Sequence, residues 1–180
     1  MSQRAFRLDD ALTALARTAP ALDALLRPLP LEWIDATDGP GTWSARHVVA
    51  HLLDGETVDW AVRARAILDA DSAPPAFDAY NIAGSVAASE HQPFPNLLDA
   101  FSEARTANVA WLRDAAPSES DLERTGIHAT FGPVTLRQLL ATWVAHDHGH
   151  MVQITRTLAR QYRAEVGPWT AFLSVFDEAP

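Results

Sequence analysis

Apolar residues recur at intervals of three, four and seven positions in four long segments of the chain, which predicts amphipathic helices with one buried face. The first segment runs from Leu8 to Leu29, and the others run from Ser44 to about Ala70, from Pro95 to Ala116 and from Thr135 to about Tyr162. Pro20 is expected to kink the first helix or divide it in two, because proline removes a backbone donor and clashes with the preceding turn.

The segments between these helices predict their connections. Ser44 has the side chain of an N-cap for the second helix, and Trp43 before it is placed as a hydrophobic staple. Residues 73–95 form a long connection with room for a short helix around residues 79–88, and a connection of that length predicts a crossover between helices two and three. Residues 124–136 are the only ones that we expect to be extended.

Length and composition fit one globular domain. The chain has 180 residues, of which 48% are hydrophobic and 21% charged, and we treat residues 1–180 as a single domain. The predicted fold class is all-α, a four-helix bundle, which is an architecture that builds metal sites from facing helices. No apolar run of 18 residues is present, and Asp9 and Asp10 interrupt the N-terminal region, so we expect no membrane partner and a cytoplasmic location.

The charged and sulfur-containing residues exclude several classes of function. The chain has no cysteine, which excludes disulfides, thiolate metal sites and a cysteine nucleophile, and leaves His, Asp and Glu as metal ligands. Its 14 basic residues are all arginine and face 23 acidic ones, so the formal charge is -9. A charge of that sign disfavours nucleic acid as a partner.

The fourth predicted helix contains the sequence HDHGH. His146 and His150 are four residues apart, so their rings project from one face of the helix and can chelate one metal ion. His148 lies two residues from each and points to the other side, which excludes it from the same site. Asp147 occupies the position at which HExxH metalloproteases place a catalytic glutamate, and it is therefore a candidate general base.

The second predicted helix supplies the third ligand. His47 and His51 repeat the spacing of four, but only His51 lies among apolar positions that must face the bundle interior. Asp54 or Glu56 could form a hydrogen bond near it. His51, His146 and His150 with an open coordination position would suit a divalent metal ion, with zinc or nickel as the preferred identities.

Three stretches of sequence resemble one known family. They are WSARHVVAHLLDGE at residues 43–56, GPVTLRQLLATWVAHDHGHMVQI at residues 132–154 and QYRAEVGPW at residues 161–169. Their order and spacing resemble the DinB-like family, which includes the YfiT-type proteins and the bacillithiol S-transferases. The resemblance implies a bundle with up-down-down-up connectivity, a divalent metal held by the three histidines named above, and a homodimer.

The resemblance also implies an activity. We expect a metal-dependent S-transferase that conjugates a low-molecular-weight thiol to an electrophilic small molecule, with the metal stabilising the thiolate that a chain without cysteine cannot supply. Two alternatives stay open, namely a metal-binding stress-response protein without turnover and a metal-dependent hydrolase that uses Asp147. Each ligand ring competes for the metal with a proton at the ordinary histidine pKa of about 6.5, so metal affinity is expected to fall steeply below neutral pH.

Overall fold

Four long helices form the bundle. The computed structural model describes residues 4–80 and 92–177. The helices of the bundle are α1 (Leu8–Leu26), α3 (Ala45–Asp54) continued by α4 (Trp60–Asp69), α5 (Phe94–Ala115) and α7 (Leu136–Arg160), with short helices α2 (Leu31–Ile34), α6 (Glu119–Leu122) and α8 (Arg163–Val166) between and after them. Two 3₁₀ turns, Gly167–Phe172 and Ser174–Phe176, complete the described part of the chain.

The predicted helix ends are close to those observed. Ser44 caps α3, since its side chain accepts a hydrogen bond from the backbone of His47, whose ring in turn accepts one from the Ser44 backbone. Pro20 lies inside α1 without dividing it. Its ring is exposed to solvent, where water can satisfy the carbonyl that loses its partner. The short helix predicted around residues 79–88 lies mostly outside the described residues.

The directions of the four helices follow from two clusters in the core. One cluster joins the end of α1, the start of α3, the start of α5 and the end of α7, and it includes Leu22, Val49, Leu97 and Ile154. The other joins the opposite ends of the same helices, and it includes Leu15, Ile67, Leu112 and Leu140. The bundle is therefore up-down-down-up, as predicted, with the long crossover between its second and third helices.

The second bundle helix is not regular throughout. Between α3 and α4 the chain forms a π-helical segment, Gly55–Asp59, that the apolar pattern did not predict. A π segment shifts the backbone hydrogen bonds by one residue and rotates the side chains that follow it, and such segments are frequent at functional sites. This one separates His51 on α3 from Trp60 on α4.

A small sheet covers one side of α4. Strands β2 (Thr125–His128) and β3 (Gly132–Thr135) form an antiparallel hairpin, and β1 (Ala76–Phe77) pairs in parallel with β2. The extended residues expected between positions 124 and 136 are therefore confirmed, but β1 lies outside that range, so they are not the only extended ones. Within the described ranges, no helix has both the length and the apolar character needed to cross a bilayer.

Candidate metal centre

The three predicted ligands meet in the middle of the bundle. His51 projects from α3, and His146 and His150 project from adjacent turns of α7. The Nε2 atom of His146 lies 3.0 Å from that of His51 and 3.1 Å from that of His150. Two bonds of about 2.1 Å from one metal ion, at right angles or at the tetrahedral angle, would separate such nitrogens by about 3.0 to 3.4 Å. The converging histidines, as we call these three, therefore have the spacing of ligands to a single ion.

The far nitrogens of two of these rings are held by polar side chains. The Nδ1 atom of His51 lies 3.3 Å from the Tyr80 hydroxyl, which donates a hydrogen bond to Asp54. The Nδ1 atom of His150 lies 2.8 Å from Oε1 of Gln153. Such contacts orient the ring and direct the lone pair of Nε2 towards the metal position. Nδ1 of His146 is buried and has no hydrogen-bond partner among the described residues.

Burial keeps the converging histidines neutral. Desolvation, with a smaller contribution from His150, lowers the pKa of His51 to about 4. It also lowers the pKa of His146 to about 3, and that of His150 falls below its ordinary value for the same reason. Neutral imidazole is the form that binds a metal, so the donor set fits a divalent cation. The lowered pKa values also correct the expectation that affinity falls steeply just below neutral pH.

The converging histidines open onto a cavity of about 470 Å³. Trp43 stacks on His150 with the ring centroids 6.1 Å apart, and Trp60 meets His146 edge-on at 5.0 Å. Most of the surface that lines the cavity is apolar. The lining residues besides the histidines of the centre are Trp43, Gly55, Asp59, Trp60, Arg63, Tyr80, His128, Phe131, Val134, Gln138, Leu139 and Thr142.

Comparison with known proteins identifies the family. The sequence pattern of the DinB superfamily matches residues 14–154, which include all three converging histidines. The chain belongs to the DinB superfamily. No curated protein matches the chain significantly.

Two solved structures share the fold of this DinB-superfamily chain. One is YfiT from Bacillus subtilis, described as a probable metal-dependent hydrolase with an unusual four-helix bundle topology. It has 22% identity and a TM-score of 0.76, with 89% of this chain and 93% of YfiT covered. The other is the four-helix bundle protein TT2238, with 23% identity and a TM-score of 0.54 over 81% of this chain and 95% of that one.

The structure does not place Asp147 where a general base would be needed. Its side chain is 1% exposed and does not line the cavity. Both carboxylate oxygens accept hydrogen bonds from Arg105, and one also accepts from Thr18. The prediction of a catalytic role is therefore corrected, because Asp147 lies one residue further round α7 than His146 and points into the core. Glu56 likewise bonds to Arg105 rather than to His51.

The other histidines divide between solvent, helix cap and cavity. His148 is exposed and His47 caps α3, in agreement with their exclusion from the site. His91 lies outside the described residues. His128 lines the cavity from the end of β2. Its Nδ1 accepts hydrogen bonds from the backbone of Thr130 and Phe131, so its Nε2 carries the proton.

The cavity wall also contains an acidic residue that the sequence did not indicate. Asp59 is 7% exposed, and its Oδ1 lies 2.5 Å from Nε of Arg63 without accepting a hydrogen bond in good geometry. Burial raises the pKa of Asp59, and the positive charge of Arg63 opposes that effect. The sequence did not indicate Asp59 because this residue reaches the cavity only through the π segment, which the spacing of apolar residues does not predict.

Proposed function

We propose that this DinB-superfamily protein is a metal-dependent S-transferase that joins a small thiol to an apolar electrophile. The observation that carries the proposal is the meeting of three neutral histidine ligands with a largely apolar cavity. Neutral ligands leave a bound divalent ion its full positive charge, which favours an anionic partner such as a thiolate. The cavity volume lies within the range of small-molecule sites, about 300 to 1,000 Å³.

Each part of the site has a role in such a reaction. A divalent ion held by the converging histidines would lower the pKa of a thiol placed beside it and so supply the nucleophile. Trp43 and Trp60 shield that position from bulk water and offer aromatic faces to an apolar electrophile. The thiol loses its proton to water, its sulfur bonds to the electrophilic carbon, and the bond from that carbon to a halide or epoxide oxygen breaks. An epoxide oxygen takes up one proton from water, and the Nε2–H of His128 can donate a hydrogen bond to that oxygen in the same cavity.

Metal-dependent hydrolysis is a second candidate function, and Asp59 is the observation that favours it. A buried carboxyl group whose pKa is raised holds a proton more readily than an ordinary aspartate does, which suits the acid–base residue of a hydrolase. The structural relative YfiT is also described as a probable metal-dependent hydrolase. In this mechanism Asp59 takes the role that the sequence assigned to Asp147.

One pair of assays separates the two reactions. The protein is loaded with zinc or nickel and given a chromogenic chloronitroarene with a panel of low-molecular-weight thiols, and in parallel a nitrophenyl ester without thiol. The proposal expects metal-dependent turnover that requires a thiol, is lost in His51→Ala and is retained in Asp59→Asn. Ester hydrolysis without thiol that is lost in Asp59→Asn would support the hydrolase instead. Metal binding without either activity would favour the stress-response protein without turnover.

A further inference from the structure

A buried ionic network lies in the core beside the metal centre. Arg105 of α5 is 2% exposed, and its guanidinium donates to both carboxylate oxygens of Asp147, at 2.5 and 3.0 Å. It also donates to Oε1 of Glu56 at 2.7 Å and to the backbone carbonyl of Leu15 at 2.9 Å. Arg105 therefore joins its own helix to each of the other three helices of the bundle.

Glu56 connects this network to the π segment. Asn108 of α5 donates to the backbone carbonyl of Glu56 at 2.9 Å and to its Oε2 at 3.0 Å, and Trp143 of α7 donates to Oε1 at 3.0 Å. A π segment changes the pairing of its backbone hydrogen bonds, so its carbonyl groups need hydrogen-bond donors from outside the segment. Side chains from α5 and α7 thus hold the π segment in place.

The two acidic residues of the network are tied to the metal ligands through the backbone. Asp147 directly follows His146 on α7, and Glu56 lies five residues after His51 on the second bundle helix. A single guanidinium bound to both carboxylates fixes the separation of the two helices at this level. The ligand nitrogens of His51 and His146, which the same two helices carry, lie 3.0 Å apart.

Stability alone does not account for such a network. A buried ion pair recovers only part of the cost of removing its charges from water, and apolar residues of similar volume often stabilise a core equally well. The network also contains two carboxylate groups and one guanidinium, so its formal charge is negative beside a site built for a cation. Both features are expected of a network that serves the metal centre.

We propose that Arg105 is a positioning residue for the divalent cation of this centre. By holding Glu56 and Asp147 together, it keeps the ligands of the two helices at the separation that one ion requires. The inference rests on the metal site of the proposed function, but not on which reaction the site catalyses. It predicts that changes at Arg105 alter the metal affinity and the coordination geometry of a protein that is still folded.

The test uses Co²⁺ as the probe, because its visible absorption reports the coordination geometry. Purified Arg105→Met and Arg105→Lys variants are titrated with Co²⁺, and the unfolding midpoint of each metal-free variant is measured. We expect both to bind Co²⁺ about 10 to 100 times more weakly than the wild type, as is typical when groups supporting a ligand are lost, and to give altered spectra. Lysine keeps the charge but lacks the planar fork that bonds to two carboxylates, so it should not rescue the site.

The matched control is Leu112→Ala, which creates a cavity in the same helix two turns beyond Arg105, where Leu112 is fully buried. It should lower the unfolding midpoint but retain the wild-type affinity and spectrum. If Arg105→Met does not fold, Arg105→Lys carries the test, since it keeps a positive charge beside the two carboxylates. Wild-type affinity and spectrum in the folded Arg105 variants would overturn the positioning role alone. A wild-type protein that does not bind Co²⁺ would overturn both this inference and the metal-dependent function.

Discussion

Metal binding should depend only weakly on pH between pH 7 and pH 5. A proton competes with the metal for each ligand ring, so the apparent affinity falls in proportion to the fraction of each ring that stays neutral. For a ring with the ordinary histidine pKa of about 6.5, the neutral fraction falls about 25-fold between pH 7 and pH 5. Three such rings would together lower the affinity about ten-thousandfold.

The buried site changes this magnitude. The pKa is about 4 for His51 and about 3 for His146, so protonation of these two rings lowers the metal affinity by less than about 1.2-fold over this range. Burial lowers the pKa of His150 as well, so its contribution is smaller than the 25-fold of an ordinary ring. The expected total decrease between pH 7 and pH 5 is therefore below about 30-fold.

Zinc affinity measured by competition calorimetry at pH 7, 6 and 5 tests this expectation. A chelator of known pH dependence serves as the competitor, and circular dichroism at each pH confirms that the chain is folded. A decrease close to ten-thousandfold in the folded protein would refute the reasoning, because it would show that the rings exchange protons as freely as in water. A decrease below 30-fold, in a protein whose zinc affinity at pH 7 falls at least a hundredfold when His51 is changed to alanine, would support it.

Further predictions concern the ligands and the fold. Alanine at any converging histidine should weaken zinc binding at least a hundredfold by equilibrium dialysis, whereas His148→Ala should bind as the wild type does. The metal-free protein should lose stability to urea as the pH falls from about 6.5 to about 4, because unfolding lets the buried rings take up protons that the folded state excludes. Gly126→Ala should destabilise the fold by about 1 to 3 kcal/mol, since its Cβ would overlap the Phe77 ring. Gly149→Ala, at an open and exposed helical position, should instead add up to about 1 kcal/mol.

The helices could be predicted from sequence because each one buries a continuous apolar face. That regularity predicts where a helix begins and ends, and the caps at Ser44 and Thr135 make those limits sharper. It says little about the π segment at Gly55–Asp59, where one additional residue rotates the side chains without interrupting the helix. The apolar pattern also could not predict the parallel pairing of β1 with β2, because strands of two and four residues show almost no periodicity.

The metal ligands could be predicted for a related reason, but the other residues that line the cavity could not be predicted. A pair of histidines four residues apart shares a helix face wherever the helix lies, and the apolar neighbours of His51 indicate which side faces the interior. His128 and Asp59 reach the same cavity from a hairpin and from the π segment. These residues come together only because elements distant in sequence pack against each other, and residue spacing within one segment does not predict that packing.

The prediction for Asp147 failed because of the angle between successive residues of a helix. Each residue turns by about 100°, so successive positions of α7 face different environments. His146 faces the cavity, Asp147 the core and His148 the solvent, and His150 returns to the cavity. Proximity in sequence to a ligand therefore indicates that a residue moves with that ligand, not that it shares its cavity. Asp147 moves with His146 and pairs with Arg105. The same helix turn therefore presents a neutral ligand to the cation and carries the buried charge that holds this ligand in place.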